Sequence, residues 1–427
     1  MTAQAGSNPV PGALAGLRIV ELSSERGAFA GKLFADMGAE VITVEPPGGD
    51  PMRSYGPFLD DEPGPERSLY WWHYNTSKLG VTLDLESERG RELFRRLAAS
   101  ADLLIECEPP GRLAELGLDY TDLIELREDL IMVSITPFGC SGSRKDEHAT
   151  DLTLLAGGGP VWSCGYDDHS LPPVRGGGNQ GYHTACHYAV MSALVAVLVR
   201  DETGVGQYID VNMHAAANVT TEAGSYDWLV ARSTVQRQTG RHAAPAMTLE
   251  TQIICADGRY VNTGVPPRSP REFGILYDWI AELGQLDEFP EAFLLQMGER
   301  LERIDLSKLE EDEELQAIYG AGREGQNFIA SKLSAYDYFI GAQKRGLAVG
   351  VIYAPEEVME DPHFVARGFP VEVEHEDLGR VFTYPGAPYR FERSPWRIRH
   401  RAPHLGEHNE RVFDALGSSA ADRRTGA

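Results

Sequence analysis

The sequence of 427 residues predicts an α/β fold built on a doubly wound, mostly parallel sheet. Short apolar segments typical of buried strands recur along the first 136 residues, and stretches with helical periodicity separate them. Glycine or proline breaks the chain at several of the boundaries. Strands separated by helices of about ten or more residues pair in parallel through right-handed crossovers, so these observations favour one such sheet.

The predicted elements follow in chain order. The strand candidates are LRIVEL (17–22), EVITVE (40–45), VTLDL (81–85), LLIE (103–106), LIMVSIT (130–136) and a strand within DETGVGQYIDVNM (201–213). The helix candidates are AGKLFADMG (30–38), the amphipathic SERGRELFRRLAASA (87–101) and a helical pair before residue 130. A further helix over about 182–199 is apolar on most faces, which predicts burial between layers. The pattern changes near residue 223, which indicates a second, smaller domain.

Composition excludes several classes of function. The formal net charge of −25 disfavours binding to nucleic acid or to an anionic membrane. Five scattered cysteines without a CxxC pair indicate reduced thiols and no cysteine zinc site. The N-terminus has no secretory signal pattern, and no run approaches the ~18 apolar residues of a membrane span. We therefore expect a cytoplasmic protein.

Two sequence motifs are compared with those that bind common ligands, namely a dinucleotide and a metal ion. The turn SSERGAFAG after the first strand does not match GxGxxG, so NAD or FAD is disfavoured, although the topology still offers a crevice at the carboxyl ends of the strands. His183 and His187 have the spacing of a two-histidine metal site, but the run HTACH lacks the glutamate of HExxH and no third ligand is evident. We predict no metal site.

The loop GGGNQGYHTACHYA (176–189) runs into a helix and presents Asn179, Gln180, Tyr182 and His183, but no carboxylate. The nearest carboxylate motif is Asp151 in HATDLTLLAGGG. Asp151 is interpreted either as a helix N-cap or as a buried carboxylate with a raised pKa, suited to proton transfer or acyl capture. The sequence leaves both open.

Several stretches, which follow one another in the same order as in the family, closely resemble the class III CoA-transferase family, also called the CaiB/BaiF family. They include LAGLRIVELSSERGAFAGKLFADMGAEVITVEPPGGDPMRSYGPF, SLYWWHYNTSKLGVTLDLES, ETGVGQYIDVNM, EDPHFVARGFPVEVEHEDLGRVFTYPGAPYRF and PHLGEHN. The resemblance covers most of the chain.

The resemblance implies a Rossmann-like large domain built from both chain ends, a smaller inserted domain and an interlocked dimer. On this basis 1–222 is the N-terminal part of the large CoA-binding domain, 223–345 the small domain with linkers, and 346–427 the return to the large domain and the tail. It also implies acyl-CoA and a carboxylic acid as substrates, with coenzyme A moved between acids and no permanently bound cofactor. The expected partner is a second copy or a homologous chain, with no nucleic acid and no membrane.

A glycine-rich loop is implied in the small domain, where the prolines of GVPPRSPREFG (264–274) predict a stiffer segment.

In the resembling enzymes an aspartate attacks the acyl-CoA. Counted back from TGVGQ, its position holds Tyr182, and a phenol of pKa near 10 is a poor acyl acceptor. The histidine and aspartate of related epimerases fall on Thr150 and again on Tyr182. The positions implied to contact CoA are Arg26, Leu83, Glu108, Leu116, Arg144, Lys145 and His148.

Three functions therefore stay open. The first is a CoA-transferase acting on acyl-CoA thioesters and carboxylic acids. The second is a non-catalytic subunit of a heteromeric CoA-transferase whose partner carries the aspartate. The third is an acyl-CoA isomerase, lyase or hydrolase in which Tyr182, His183 and Asp151 perform acid–base chemistry.

Overall fold

The structure is a computed structural model that describes residues 10–263, 267, 269–305, 309 and 311–417. The chain forms two compact units: residues 1–161, 175–222 and 359–427 belong to unit 1, and residues 162–174 and 223–358 to unit 2. Part of the GVPPRSPREFG segment, together with the leader and most of the C-terminal tail, lies outside the described residues.

The strands are β1 (Arg18–Leu22), β2 (Glu40–Glu45), β3 (Leu79–Thr82), β4 (Leu103–Glu106), β5 (Ile131–Thr136), β6 (Tyr208–Asn212), β7 (Gln236–Gln238), β8 (Arg241–Ala244), β9 (Gln252–Ile254), β10 (Tyr260–Thr263), β11 (Val349–Val351), β12 (Pro370–His375) and β13 (Arg380–Pro385).

The α-helices are α1 (Ala28–Asp36), α2 (Leu69–Tyr74), α3 (Glu88–Ala99), α4 (Arg112–Glu115), α5 (Tyr120–Leu123), α6 (Asp151–Gly158), α7 (Gln180–Thr203), α8 (Met213–Val219), α9 (Glu222–Tyr226), α10 (Pro270–Glu282), α11 (Ala292–Arg300), α12 (Glu313–Ala330), α13 (Ala335–Lys344), α14 (Pro355–Val358), α15 (Pro362–Arg367) and α16 (Asn409–Ala415).

Unit 1 contains a six-stranded sheet in the order β3-β2-β1-β4-β5-β6, and all neighbouring strands are parallel. The α/β prediction is thereby confirmed. The predicted strands 40–45 and 103–106 agree with β2 and β4 at both ends. The predicted strand 81–85 is shifted, because β3 pairs from Leu79 opposite Ile42 to Thr82 opposite Glu45. Strand order reverses between β1 and β4, which is where open α/β sheets bind ligands.

Each face of the sheet is covered by its own helices. On one face Ile19, Ile105 and Val133 pack with α1 and α7, and on the other Val20, Leu104 and Met132 pack with α3 and α16. Strands buried on both faces read as continuous apolar runs, which explains why the sequence signalled them so clearly.

Helix α7 differs from its predicted burial between layers. Ala185, Ala189 and Ala193 pack into the core, but the opposite face is exposed, with Leu198 at 66%. By length and composition α7 is also apolar enough to cross a membrane, which the sequence analysis missed because polar residues such as Thr184 and Ser192 interrupt the apolar run. Helices of protein cores pass the same test, and α7 contacts α1, α6, α8, β5 and β6.

Unit 2 is built from the antiparallel sheet β11-β10-β9, the β7–β8 pair and the helices α10 to α13. Its core includes Phe273, Trp279 and Tyr338. It extends to residue 358, beyond the predicted limit of 345, because β11 completes its sheet by pairing with β10. It also includes residues 162–174, because Trp162 Nε1 donates to the Val235 carbonyl at 3.2 Å and the backbone N–H of Asp167 donates to Thr239 at 3.0 Å.

A buried ion pair lies behind the β1–α1 turn. Lys78 Nζ is 2.7 Å from Glu21 Oε2, and both side chains are at most 1% exposed. The same ammonium donates to the Ala28 carbonyl and to Asn75 Oδ1, each at 2.9 Å. A Cβ at Gly31 would lie 2.5 Å from Glu21 Oε2, so glycine is required for α1 to approach this carboxylate.

The C-terminal segment of unit 1 is hydrogen-bonded to the N-terminal part of the sheet. Thr82 N–H donates to Asn409 Oδ1 at 2.9 Å, and Gly80 N–H donates to His408 Nδ1 at 3.1 Å. Arg53 forms a buried ion pair with Glu45 at 2.6 Å and donates to the Pro403 carbonyl at 3.1 Å. Residues far apart in sequence therefore complete the β3 edge.

We expect Lys78→Ala to lower the free energy of unfolding by about 3–5 kcal/mol, because it leaves the Glu21 charge buried without its partner. The double variant Glu21→Leu/Lys78→Met should lose less, because it removes both charges. Urea unfolding of both variants measures the difference. Arg393→Ala, at an exposed position, should change stability by no more than about 0.5 kcal/mol. Equal stability of Lys78→Ala and Arg393→Ala would contradict the role of the pair.

Candidate active site and nucleotide crevice

The first turn of α7 projects from the glycine-rich loop. Gly178 has φ +75°, a left-handed conformation that glycine adopts without strain, and it turns the chain into the helix. Asn179 is at the N-cap position but makes no side-chain cap, because its Nδ2 donates to the Tyr70 hydroxyl at 2.6 Å. The loop thus places a polar amide against helix α2.

Asp151 lies beside this turn at the first position of α6. The N-cap is Thr150, which forms a capping box with Thr153, so the interpretation of Asp151 as the N-cap is wrong. Asp151 is 6% exposed, and its Oδ1 accepts the Tyr182 backbone N–H at 3.0 Å. Its Oδ2 is 3.4 Å from Arg175. Glycine at 181 permits this approach, since a Cβ there would lie 3.0 Å from Asp151 Oδ1.

Tyr182 is 3% exposed. Burial raises the pKa of its phenol, and the nearby Glu25 carboxylate raises it further, whereas a hydrogen bond from the Arg26 guanidinium acts in the opposite direction. The phenol therefore stays protonated at neutral pH. The structure brings Tyr182 together with Asp151 and Arg26.

The His183 side chain is hydrogen-bonded to helix α2 and not to the Tyr182 phenol. Its Nε2 is 2.8 Å from the Tyr74 hydroxyl, and its ring stacks on Phe29 with a centroid distance of 4.2 Å. Burial lowers the His183 pKa, and the neighbouring His187 lowers it further, while Asp151 raises it. The ring is accordingly a neutral hydrogen-bond partner of Tyr74 and not of the Tyr182 phenol.

Sequence reasoning missed a tyrosine cluster beside this turn, formed by Tyr55, Tyr70 and Tyr74. The rings of Tyr70 and Tyr74 are 4.7 Å apart, those of Tyr55 and Tyr70 are 5.4 Å apart, and the Tyr55 hydroxyl donates to Glu25. The aromatic run LYWWHY of α2 was the available signal. Its link to α7 spans 109 residues, which local patterns do not show.

A crevice opens at the carboxyl ends of β1, β2 and β3. Leu83, Glu108 and Leu116 line it together, in a volume of about 200 Å³. Three of the residues implied to contact CoA therefore meet in one place. The crevice also carries Glu86 and Arg112, which pair with each other.

The other residues implied to contact CoA are more dispersed. Arg26 lies in the β1–α1 turn and donates to the Ala149 carbonyl at 3.4 Å. Arg144 is 2.8 Å from Glu147 and stacks over Phe138. His148 is exposed, and Lys145 lines a second cavity with Glu108. No single cluster contains all the basic groups.

The sheet is parallel and has a ligand crevice near its switch point. The crevice lies next to a loop-to-helix turn with buried polar groups. These features define an α/β ligand-binding protein of the doubly wound class. The chain belongs to CoA-transferase family III, whose model matches residues 14–409. This agrees with the resemblance found in the sequence.

Individual relatives extend over nearly the whole chain. Succinyl-CoA:(R)-benzylsuccinate CoA-transferase subunit BbsE of Thauera aromatica is 33% identical over 94% of both chains. Succinyl-CoA–D-citramalate CoA-transferase of Chloroflexus aurantiacus is 30% identical over 96% of both. Among solved structures, a CaiB/BaiF family protein from Brucella suis is 26% identical with a TM-score of 0.76, covering 95% of this chain and 100% of that one.

The lowered pKa of His183 predicts a pH dependence. The neutral ring is favoured in the folded state, so its contribution to stability is complete above the ordinary histidine pKa of about 6.5 and is lost as pH falls through the lowered folded value. The free energy of unfolding should therefore fall less between pH 7.5 and 5 in His183→Gln than in the unsubstituted protein. Urea titrations at each pH measure this difference. Identical pH profiles would contradict a half-buried, neutral His183.

Proposed function

We propose that this chain takes part in the transfer of CoA between an acyl-CoA thioester and a carboxylic acid, as one subunit of a heteromer with a homologous chain. The homologous chain supplies the aspartate that forms the acyl anhydride. Family membership supports CoA transfer, and the names of some relatives include the word subunit.

The observation that carries the heteromer proposal is the state of Tyr182. Anhydride formation needs a carboxylate that can reach the thioester carbon, and a protonated, buried phenol does not form an anhydride. The adjacent carboxylate of Asp151 already accepts the Tyr182 N–H and approaches Arg175. The first two turns of α7 themselves contain no Asp or Glu.

The charge at the crevice supports the same assignment. We propose that Leu83 and Leu116 contact the adenine and that Arg26, Arg144, Lys145 and His148 face the pantetheine and phosphates. Glu108 lines that crevice, and its carboxylate would repel a phosphate. A weakened CoA site is expected of a subunit whose partner performs the chemistry.

The acid–base alternative has less support. It needs a proton acceptor beside the Tyr182 phenol, and His183 is bonded to Tyr74 instead. Arg26, whose guanidinium donates to the Tyr182 hydroxyl, stays protonated in proteins and does not act as a base, and the nearby Glu25 carboxylate already accepts the Tyr55 hydroxyl.

The exposed face of α7 is proposed as the surface that binds the homologous chain in an interlocked dimer. Met191, Val195 and Leu198 follow the i, i+4, i+7 spacing of one helix face, and they are 55%, 55% and 66% exposed. Val199 and Val205 continue the apolar surface. A stripe of this kind at the end of a core helix favours a large apolar interface.

The heteromer proposal predicts that the purified chain alone exchanges no CoA between succinyl-CoA and a panel of carboxylic acids. Co-expression with a homologue that has aspartate at the Tyr182 position should restore exchange. In that complex Tyr182→Phe should change turnover less than twofold, whereas Asp→Ala in the homologue should abolish it. A CoA-exchange assay with mass-spectrometric detection measures all of these.

The alternatives give different results in the same assay. If the lone chain is active and Tyr182→Phe lowers its turnover by roughly 10²–10⁴, the acid–base mechanism holds instead. If a thioester or anhydride is trapped on a carboxylate of the lone chain, the chain is itself a complete CoA-transferase.

The interface proposal predicts that Val195→Asp prevents dimer formation, because it places a charge in the apolar stripe. Val381→Asp is the matched control, since Val381 is 58% exposed on β13 and outside the stripe. Light scattering at micromolar concentration should show a monomer for the first variant and the unsubstituted assembly for the second. An unchanged assembly in Val195→Asp would place the interface elsewhere.

A further inference from the structure

A second cavity of unit 1 lies beside the nucleotide crevice, and two of its lining residues, Glu108 and Lys145, are also among those implied to contact CoA. It lies beside the end of β4, the middle of β5 and the start of β6, where Glu106, Met132, Ser134 and Tyr208 line it, and its volume is about 300 Å³. It shares only Glu108 and Leu113 with the nucleotide crevice. Its size is at the lower limit for a small-molecule site, which fits a ligand with a single ring.

The walls of this cavity are apolar and partly aromatic. Pro109, Pro110 and Met132 form much of the lining. The rings of Tyr120 and Tyr208 stand 5.6 Å apart at 40° to each other, and both face the cavity. The Tyr208 hydroxyl donates to Cys140 Sγ at 3.1 Å, which fixes that ring. These surfaces suit a flat apolar group.

Carboxylates dominate the polar part of the lining. Glu106 is 4% exposed, and its Oε2 accepts the Glu108 backbone N–H at 2.6 Å, which holds the carboxyl in place at the end of β4. The side chains of Glu108 and Asp119 also line the cavity. The one cation in the lining, Lys145, is 44% exposed and lies 3.9 Å from Asp146. The cavity is therefore negative on balance.

We propose that this cavity binds a small organic cation, consisting of an ammonium group on a flat apolar body. The ammonium pairs with the Glu106 carboxylate, and the apolar body lies against Pro109, Pro110 and the two tyrosine rings. Aromatic rings add a favourable interaction with a cation that lies over their faces. The buried carboxylate provides the selectivity, because a neutral ligand of the same shape leaves it without a counter-charge.

Titration of Glu106 links binding to pH. Its pKa is raised to about 7, chiefly by burial and also by the neighbouring Glu108 and Asp210 carboxylates, while hydrogen bonds from Ser134 and the Glu108 backbone act in the opposite direction. The other titratable groups of the cavity lining are Glu108, Asp119, Tyr120, Cys140, Lys145 and Tyr208. Because the cation pairs with the ionised carboxylate, affinity should rise severalfold from pH 6 to pH 8.

Isothermal titration calorimetry of the purified full chain tests the proposal, with benzylamine as the probe and benzyl alcohol as its neutral match. Benzylamine should bind at least tenfold more tightly than benzyl alcohol. Glu106→Gln should weaken benzylamine at least tenfold, whereas Glu125→Gln, at an exposed position outside the cavity lining, should leave its affinity unchanged. Ala114→Phe, at an exposed position of the rim, should block binding even if Glu106→Gln fails to fold.

Several results would overturn the proposal. They are the absence of saturable binding at millimolar benzylamine, equal affinity for the alcohol, and full affinity in both Glu106→Gln and Ala114→Phe. Displacement by saturating CoA would make the cavity part of the nucleotide crevice. Loss of binding in the assembled heteromer would show that the partner covers it. Failure of the CoA-exchange assay has no bearing on these outcomes, since the probe is neither a thioester nor an acid.

Discussion

The buried pair between Glu21 and Lys78 is the constraint on which the arrangement of unit 1 depends. Burial of two charges is costly, and it raises the pKa of the Glu21 carboxyl, which the Lys78 ammonium opposes. Lys78 joins the end of β1, the start of α1 and the segment after α2 through one ammonium group. Arg26 lies in the turn before α1, whose first residue, Ala28, accepts a hydrogen bond from this ammonium. The tyrosines of α2 lie just before Asn75 and Lys78 in the sequence. One ammonium group therefore links the elements on both sides of the candidate site.

The polar groups around α7 are largely bound to one another. Asp151 accepts the Tyr182 N–H, His183 pairs with Tyr74, and Asn179 donates to Tyr70. Catalytic sites in general keep some groups free for the substrate, whereas bonded networks of this kind rigidify a structure. Three residues of the turn in which the resemblance implies a nucleophile are here hydrogen-bonded within the protein. This supports, beside the state of Tyr182, the proposal that a homologous chain performs the chemistry.

The fold could be predicted from the sequence better than the site could. The strands β2 and β4 are buried on both faces and have one consistent apolar signal, so their limits were predicted correctly. The limits of β3 depend on its partners, namely β2 and the side chain of Asn409, which no local pattern reveals. The exposure of one face of α7 was missed for the same reason. The sequence pattern of an apolar helix face is the same whether that face packs against its own chain or against another chain.

The site shows the same limit at the level of single residues. Tyr182 was located by counting from a motif, and Asp151 by its own sequence context. Asp151 does not cap its helix because Thr150 does, through a capping box with Thr153. That Asp151 accepts a hydrogen bond from the Tyr182 backbone depends on the packing of α6 against α7. The tyrosines of α2 were missed because their partners lie about 109 residues away. Contacts of this length are set by topology, and composition carries no trace of them.

The bonds that complete the β3 edge have a consequence for the protein during its synthesis. Gly80 leaves the ribosome long before His408, which lies 328 positions further along the chain. At translation rates of about 5–20 residues per second the interval is roughly 16–66 s. Throughout that time β3 is an edge without its C-terminal partners, and unit 2 is made in between. Until those partners are made, this strand of the nascent chain is exposed to pairing with other chains.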